Sequence, residues 1–286
     1  IDMRILVLIA LLTSAKMTAQ WQPAGDKIKS KWAAEVSPEN VWQEYPRPQM
    51  VRSDWSNLNG LWDYAIRPKD GGMPEQWDGE ILVPFAVESS LSGVMQTLGP
   101  EQVLWYHTSF EIPESWDGDQ ILLHFGAVDW RADVWINDIQ LGHHEGGYDG
   151  FSFDLTPFLK EGKQELVVRV WDPTDHGPQP RGKQVSNPRG IWYTAVTGIW
   201  QTVWLEPVGS VKHITGLNYS PSPTTGSVEV TIEGEALEYG DVLEVQVLED
   251  NQVVASAQGN ALEPVTLWLK EAKLWSPENP FLYDVK

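Results

Sequence analysis

Residues 131–137, RADVWIN, alternate without a break: Ala132, Val134 and Ile136 fall on one side, Arg131, Asp133 and Trp135 on the other. Successive side chains of an extended strand point to opposite faces, so this period of two predicts one face in a core and one against solvent or a neighbour. Residues 165–171 repeat the pattern with Leu166, Val168 and Val170, and 121–125 and 200–205 are further strand candidates. Asn137 and Asp138 separate the first run from Ile139, Gln140 and Leu141, which predicts a two-residue hairpin turn, although Gly would suit the second position better than Asp. From about Val51 onward the chain consists of such short runs between turn residues, the signature of an all-β protein.

Pro207, Val208, Gly209 and Ser210 break the pattern, and a second set of strands follows. Val228, Val230 and Ile232 alternate with Glu229, Thr231 and Glu233; Leu243, Val245 and Val247 repeat the theme; residues 249–252 turn the chain, and Val265, Leu267 and Leu269 form a later strand. Short strands and polar turns over 209–286 suggest an immunoglobulin-like β-sandwich. Such a domain usually takes about 100 residues, so the expectation is that it lacks its last strand. Residues 20–47 are polar and mixed, and Pro38, Pro46 and Pro48 argue against one long helix, so this stretch reads as an arm over a first domain spanning 48–208. Residues 1–19 read as a secretory signal peptide, with Met3 and Arg4 before the apolar run 5–12 and then Thr13, Ser14 and Ala15. That run falls well short of the roughly 20 residues that span a bilayer, so no membrane partner is expected. The two residues before Met3 suggest an untrimmed reading frame. The expected location is a bacterial periplasm or the extracellular space.

A secreted chain without cysteine must hold together without disulfides, by core burial that 286 residues can supply over one or two domains. Forty acidic against twenty basic residues give a net charge of −20. Such a surface repels phosphate backbones, which excludes nucleic acid as a partner. Sixteen tryptophans offer platforms for the apolar faces of sugar rings; the competing reading of each is a large core residue.

Several motifs follow one another: NLNGLW at 57–62, Val83-Pro84-Phe85 with Glu88-Ser89, Trp105-Tyr106, FGAVD at 125–129, GHHEGGYDGFSFDLT at 142–156 and RGKQVSNPRGIWYTAVTGIWQTVWLEP at 181–207. In this order they resemble the sugar-binding domain of glycoside hydrolase family 2, the family of β-galactosidases, β-glucuronidases and β-mannosidases. LWSPENPFLY at 274–283 resembles the end of that family's immunoglobulin-like second domain. The likeness covers roughly residues 45–286. It implies a jelly-roll (galactose-binding-like) β-sandwich followed by the immunoglobulin-like one, a carbohydrate substrate and no cofactor. It also implies a retaining mechanism in which one Glu is general acid/base and another the nucleophile, about 5–5.5 Å apart. The family carries both glutamates on a third domain, a (β/α)₈ barrel of about 250 residues. No residues follow Lys286 to build one, and Glu39-Asn40 and Glu278-Asn279 run in the opposite order to the family's Asn-Glu pair. The expectation is a chain with no catalytic residue of its own, whose missing partner is the barrel.

The resemblance further implies that a loop of the first domain reaches the barrel's open end. Several relatives carry an Asp there, six residues before the Gly of a Gly-Ile-aromatic motif; counting back from Gly198 gives Trp192. The candidate substrate-binding residues are Trp192 and Tyr193 by stacking, Arg181, Lys183 and Gln184 by hydrogen bonds to hydroxyls or a carboxylate, and Asp129. The alternatives are a Trp192 in the core, an Arg181 paired with a surface acid, and an Asp129 that pairs with a buried Arg.

Two apparent motifs carry no chemistry. His143 and His144 are adjacent, and in a strand they would face opposite ways rather than share an ion, so His144 is expected to pack with a backbone or carboxylate partner and no metal is expected. Residues 177–183 have phosphate-loop spacing, but Gln184 stands where Ser or Thr would hold magnesium, and Pro178 and Pro180 remove backbone donors. The leading expectation is the non-catalytic front part of a secreted, β-galactosidase-like retaining glycosidase. Two other classes stay open: a stand-alone carbohydrate-binding module, which needs an open aromatic groove, and a scaffold that holds a homo-oligomer together.

Overall fold

The computed structural model describes residues 21–286, so the signal-peptide reading of 1–19 lies outside the described residues. The first strands in chain order are β1 Ser56–Asn57, β2 Gly60–Pro68, β3 Gly79–Val83, β4 Gln102–Glu111, β5 Gln120–Phe125 and β6 Val128–Asp129. They continue with β7 Arg131–Ile136, β8 Ile139–Glu145, β9 Phe151–Asp154, β10 Lys163–Trp171, β11 Gly198–Ile199 and β12 Val203–Val208. These twelve form a six-stranded sheet in the order β3-β2-β4-β10-β7-β8, a four-stranded sheet β1-β12-β5-β9 and a ribbon β11-β6. The period of two decides how the sheets stack. Leu104 and Tyr106 of β4, Val134 and Ile136 of β7, and Leu166 and Val168 of β10 share one buried cluster with Leu123 and Phe125 of β5 and Val203 and Leu205 of β12. Each such side chain stabilises the sandwich by about 1.5–3 kcal/mol relative to exposure.

The hairpin expected at Asn137 and Asp138 forms: both residues have positive φ, 49° and 66°, and Ile136 pairs with Ile139. Those dihedrals twist the two strands in the sense that a β-ribbon prefers. Asn137 also ties the turn to β10, because its Nδ2 donates to Gln164 Oε1 at 2.8 Å and its Oδ1 accepts from the Glu165 amide at 3.0 Å.

One boundary differs from expectation. The strand foreseen over 200–205 begins at Val203 and runs on to Val208, through Pro207. Ile121, opposite Pro207, directs its own N–H to Thr156 Oγ1 and its carbonyl to the Leu155 amide, both at 2.8 Å. The Ile121 and Pro207 pair is therefore of the non-hydrogen-bonded kind, and no ladder bond needs the amide hydrogen that proline lacks. The break falls at Gly209 instead.

The remaining strands are β13 His213–Ser222, β14 Ser227–Glu235, β15 Val242–Glu249, β16 Gln252–Asn260, β17 Val265–Trp268 and β18 Asp284–Val285, in two sheets, β13-β14-β17 and β16-β15-β18. Val230, Leu243, Val245, Val247, Val265 and Leu267 make the core between them. The turn at 249–252 has Asp250 and Asn251 at φ 47° and 64°. Leu269 lies one residue beyond β17 and packs against the same core. The protein is all-β, and no helix among the described residues is long and apolar enough to cross a membrane.

Residues 21–55 lie along the first sandwich. The Ala24 amide donates to the Ser90 carbonyl at 2.8 Å and Lys27 Nζ to the Glu88 carbonyl at 3.0 Å. Farther along, Tyr45 Oη, Arg47 Nη2 and Arg52 Nε donate to the buried Glu206 carboxylate at 2.5, 2.7 and 3.0 Å. Arg52 Nη2 also donates to the Ile214 carbonyl of β13.

Candidate functional site

Between β10 and β11 the chain makes one long excursion, residues 172–197, with no strand or helix of its own. Loops of this length in compact folds are usually functional. Both of its ends are tied to buried groups. Asp172 Oδ1 accepts from the Thr174 amide at 2.7 Å and its Oδ2 from Thr197 Oγ1 at 2.9 Å. The Thr197 amide donates to Glu88 Oε2 at 2.9 Å, and its carbonyl accepts from the Val87 amide at 3.2 Å. Beyond it, Gly198 has φ +98° and backs onto Tyr106, whose hydroxyl any Cβ there would strike.

Midway, the loop is pinned by Gln184. Its Nε2 donates to Asp129 Oδ2 at 3.0 Å, and its Oε1 accepts from the Val196 amide at 2.6 Å. The two legs are zipped where the Tyr193 amide donates to the Lys183 carbonyl at 2.9 Å and the Val185 amide to the Tyr193 carbonyl at 3.1 Å. Glycine is required at 147, because a Cβ there would lie 2.6 Å from Asp129 Oδ1. Glu88, Asp129 and Asp172 are all buried. Burial pushes Glu88 up to about 7 against the opposing bonds from Thr197. It pushes Asp129 to about 7 against the bond from Gln184, with the neighbouring Asp172 charge adding to the rise, and it raises Asp172 as well.

The tip of the loop is the reverse of its base. Trp192 and Tyr193 are 40% and 63% exposed. The Arg181 guanidinium lies 6.0 Å from the Trp192 ring and Lys183 Nζ 5.7 Å from the Tyr193 ring. Arg181 also lies 3.9 Å from Asp175. Four of the six candidates, Arg181, Lys183, Trp192 and Tyr193, thus form one ridge of aromatic faces and cations. The other two face inward. Asp129 is buried against Gln184, not against an arginine. Trp192 is not a core residue. The carboxylate beside the ridge, Asp175, is held low by its bond from Ser186.

Glu88, Asp172 and Thr197 were missed by sequence reasoning. The run Asp172-Pro173-Thr174 carries an Asx-turn signal that could have flagged one end of the loop. Glu88 stands in the Glu88-Ser89 motif, but its partner Thr197 lies 109 residues away, so its place at the loop base shows only in the fold. Among the described residues no group of three or more His, Asp or Glu is placed to hold a metal ion. His144 stacks on Phe151 at 4.2 Å, but its Nε2 has no hydrogen-bond partner, unlike the satisfied histidine expected. Residues 177–183 lead into the zipped loop and no helix follows them.

The chain matches two family models: the sugar binding domain of glycosyl hydrolases family 2 over residues 95–205, and a second glycosyl hydrolases family 2 model over 214–286. Among curated relatives, a β-glucuronidase of Paenibacillus borealis is 25% identical over 84% of this chain and 43% of its own length. A β-galactosidase of Thermoanaerobacter pseudethanolicus is 28% identical over 64% of this chain and 25% of its own. A solved β-glucuronidase of Ruminococcus gnavus superposes with a TM-score of 0.65 at 20% identity, over 85% of this chain and 43% of that one, a likeness of fold. The chain spans less than half the length of each of these proteins. With both models of one family matched in chain order and the sandwiches they describe present in the structure, the chain belongs to glycoside hydrolase family 2.

Proposed function

We propose that this chain is the non-catalytic, substrate-side part of a secreted retaining glycosidase that acts on a β-galactoside or β-glucuronide. Its role is to present the ridge of Arg181, Lys183, Trp192 and Tyr193 to a sugar held by a (β/α)₈ barrel. The observation that carries this reading is the build of the loop at 172–197. Buried polar bonds fix its base, and its tip exposes two aromatic rings flanked by two cations. Relatives named for both activities and more than twice as long support the class of reaction. The purified 286-residue chain should show no turnover of nitrophenyl β-galactoside, β-glucuronide or β-mannoside. Turnover that disappears on substituting a residue of this chain would overturn the reading.

A further inference from the structure

We propose that the outer face of the six-stranded sheet holds a second carbohydrate site, a cavity that takes one pyranose ring of a glycan chain against Trp135. The same alternation that sends Leu104, Val168 and Val134 into the core sends Trp105, Arg169 and Asp133 outward, and the register pairs them in one row across β4, β10 and β7. Trp135, two residues beyond Asp133 and so on the same face, pairs with Val167 and Gln140. Trp105 and Trp135 lie 5.6 Å apart at 32°, and Trp77 and Trp171 pack into the same outer cluster. Residues 69–73, between β2 and β3, line with this row a wide, solvent-open cavity of about 440 Å³. That volume falls within the roughly 300–1,000 Å³ of small-molecule sites.

The polar groups in the cavity are fixed rather than loose. Asp133, with its side chain 8% exposed, accepts from Arg169 Nη1 at 2.9 Å and from Arg131 Nη2 at 3.2 Å. Arg169 Nη2 donates to the Lys69 carbonyl at 2.7 Å, and Lys69 Nζ sits 3.6 Å over the Trp171 ring. A carboxylate has about four acceptor sites and a guanidinium five N–H donors, so Asp133 and Arg169 keep capacity for hydroxyls. The Trp105 indole N–H is buried with no partner, and the exposed Gln140 amide stands at the rim. An aromatic face beside oriented donors and acceptors matches a pyranose, which has apolar C–H faces and a girdle of hydroxyls. The site is built wholly from this chain and needs no barrel.

The test is calorimetric titration of the 286-residue chain with hexasaccharides of β-linked glucose, xylose, mannose and galactose and with a glucuronate-containing oligosaccharide. At least one should bind one-to-one with a Kd of about 5 mM or tighter. Trp135→Ala should weaken that binding at least about tenfold. Gln140→Ala should weaken it about threefold, whereas Trp192→Ala on the loop ridge should leave it unchanged. If Trp135→Ala fails to fold, the rim variant Gln140→Ala and the milder Trp135→Phe decide. Absence of binding across the panel, affinity indifferent to both Trp135 and Gln140, or loss through Trp192→Ala would each overturn the proposal. None of these outcomes bears on turnover, which tests the function above.

Discussion

Glu206 shows how much of this molecule turns on single buried acids. It lies in β12 with no side-chain exposure, and it answers Tyr45, Arg47 and Arg52 from the leading segment as well as Trp204 Nε1 at 2.7 Å. Burial alone would raise its pKa; the contacts of His124, Tyr45 and Trp204 outweigh that and hold it at about 2. Replacing one partner of a buried charge cluster leaves the others uncompensated, so Glu206→Ala should destabilise by about 3–5 kcal/mol, read as a lower urea midpoint. At the residue scale the structure places Trp192 and Tyr193 on the exposed tip of the loop, outside the core. The partner of Asp129 is Gln184 and not the buried arginine weighed from sequence, because the two stand 55 residues apart and only folding brings them together.

At the scale of elements, local chemistry carries further. The β7–β8 turn was legible because a two-residue link between alternating runs has few solutions, and those require positive φ. Asp138 at φ 66° accepts that conformation at a cost that Gly avoids, partly offset by the greater freedom of Gly in the unfolded chain. Asp138→Gly should therefore stabilise by about 0.5 kcal/mol, seen as a small upward shift of the denaturant midpoint. The end of β12 was misread because Pro207 usually closes a strand. Whether it does so depends on the hydrogen-bonding phase of its neighbour, which is a property of the pair and not of the segment.

Across the whole molecule, two sets of acids set opposite limits of pH. Glu206 has a depressed pKa, so the stability it supplies is present above the unfolded carboxylate range and is lost as pH falls from about 4.5 toward 2. Glu88 and Asp129 have raised values, so the folded state holds their protons while the unfolded chain releases them, and stability falls as pH climbs from about 4 to about 7. Self-repulsion among charges that sum to −20 at pH 7 works in the same direction. Thermal unfolding between pH 3 and 8 should show its highest midpoint near pH 4–5, with the alkaline decline shallower in Glu88→Gln. A midpoint that rises from pH 5 to pH 7 would contradict this. What the sequence by itself determined is the all-β layering, because a period of two and the turn residues act over a few positions, while the family was legible only through the resemblance carried by its ordered motifs. What only the tertiary structure decided is which polar groups are buried, that the loop at 172–197 hangs from Glu88, Asp129 and Asp172, and that the outer sheet face keeps a cavity. Desolvation depends on every atom packed around a group, and those atoms come from segments far apart in the chain.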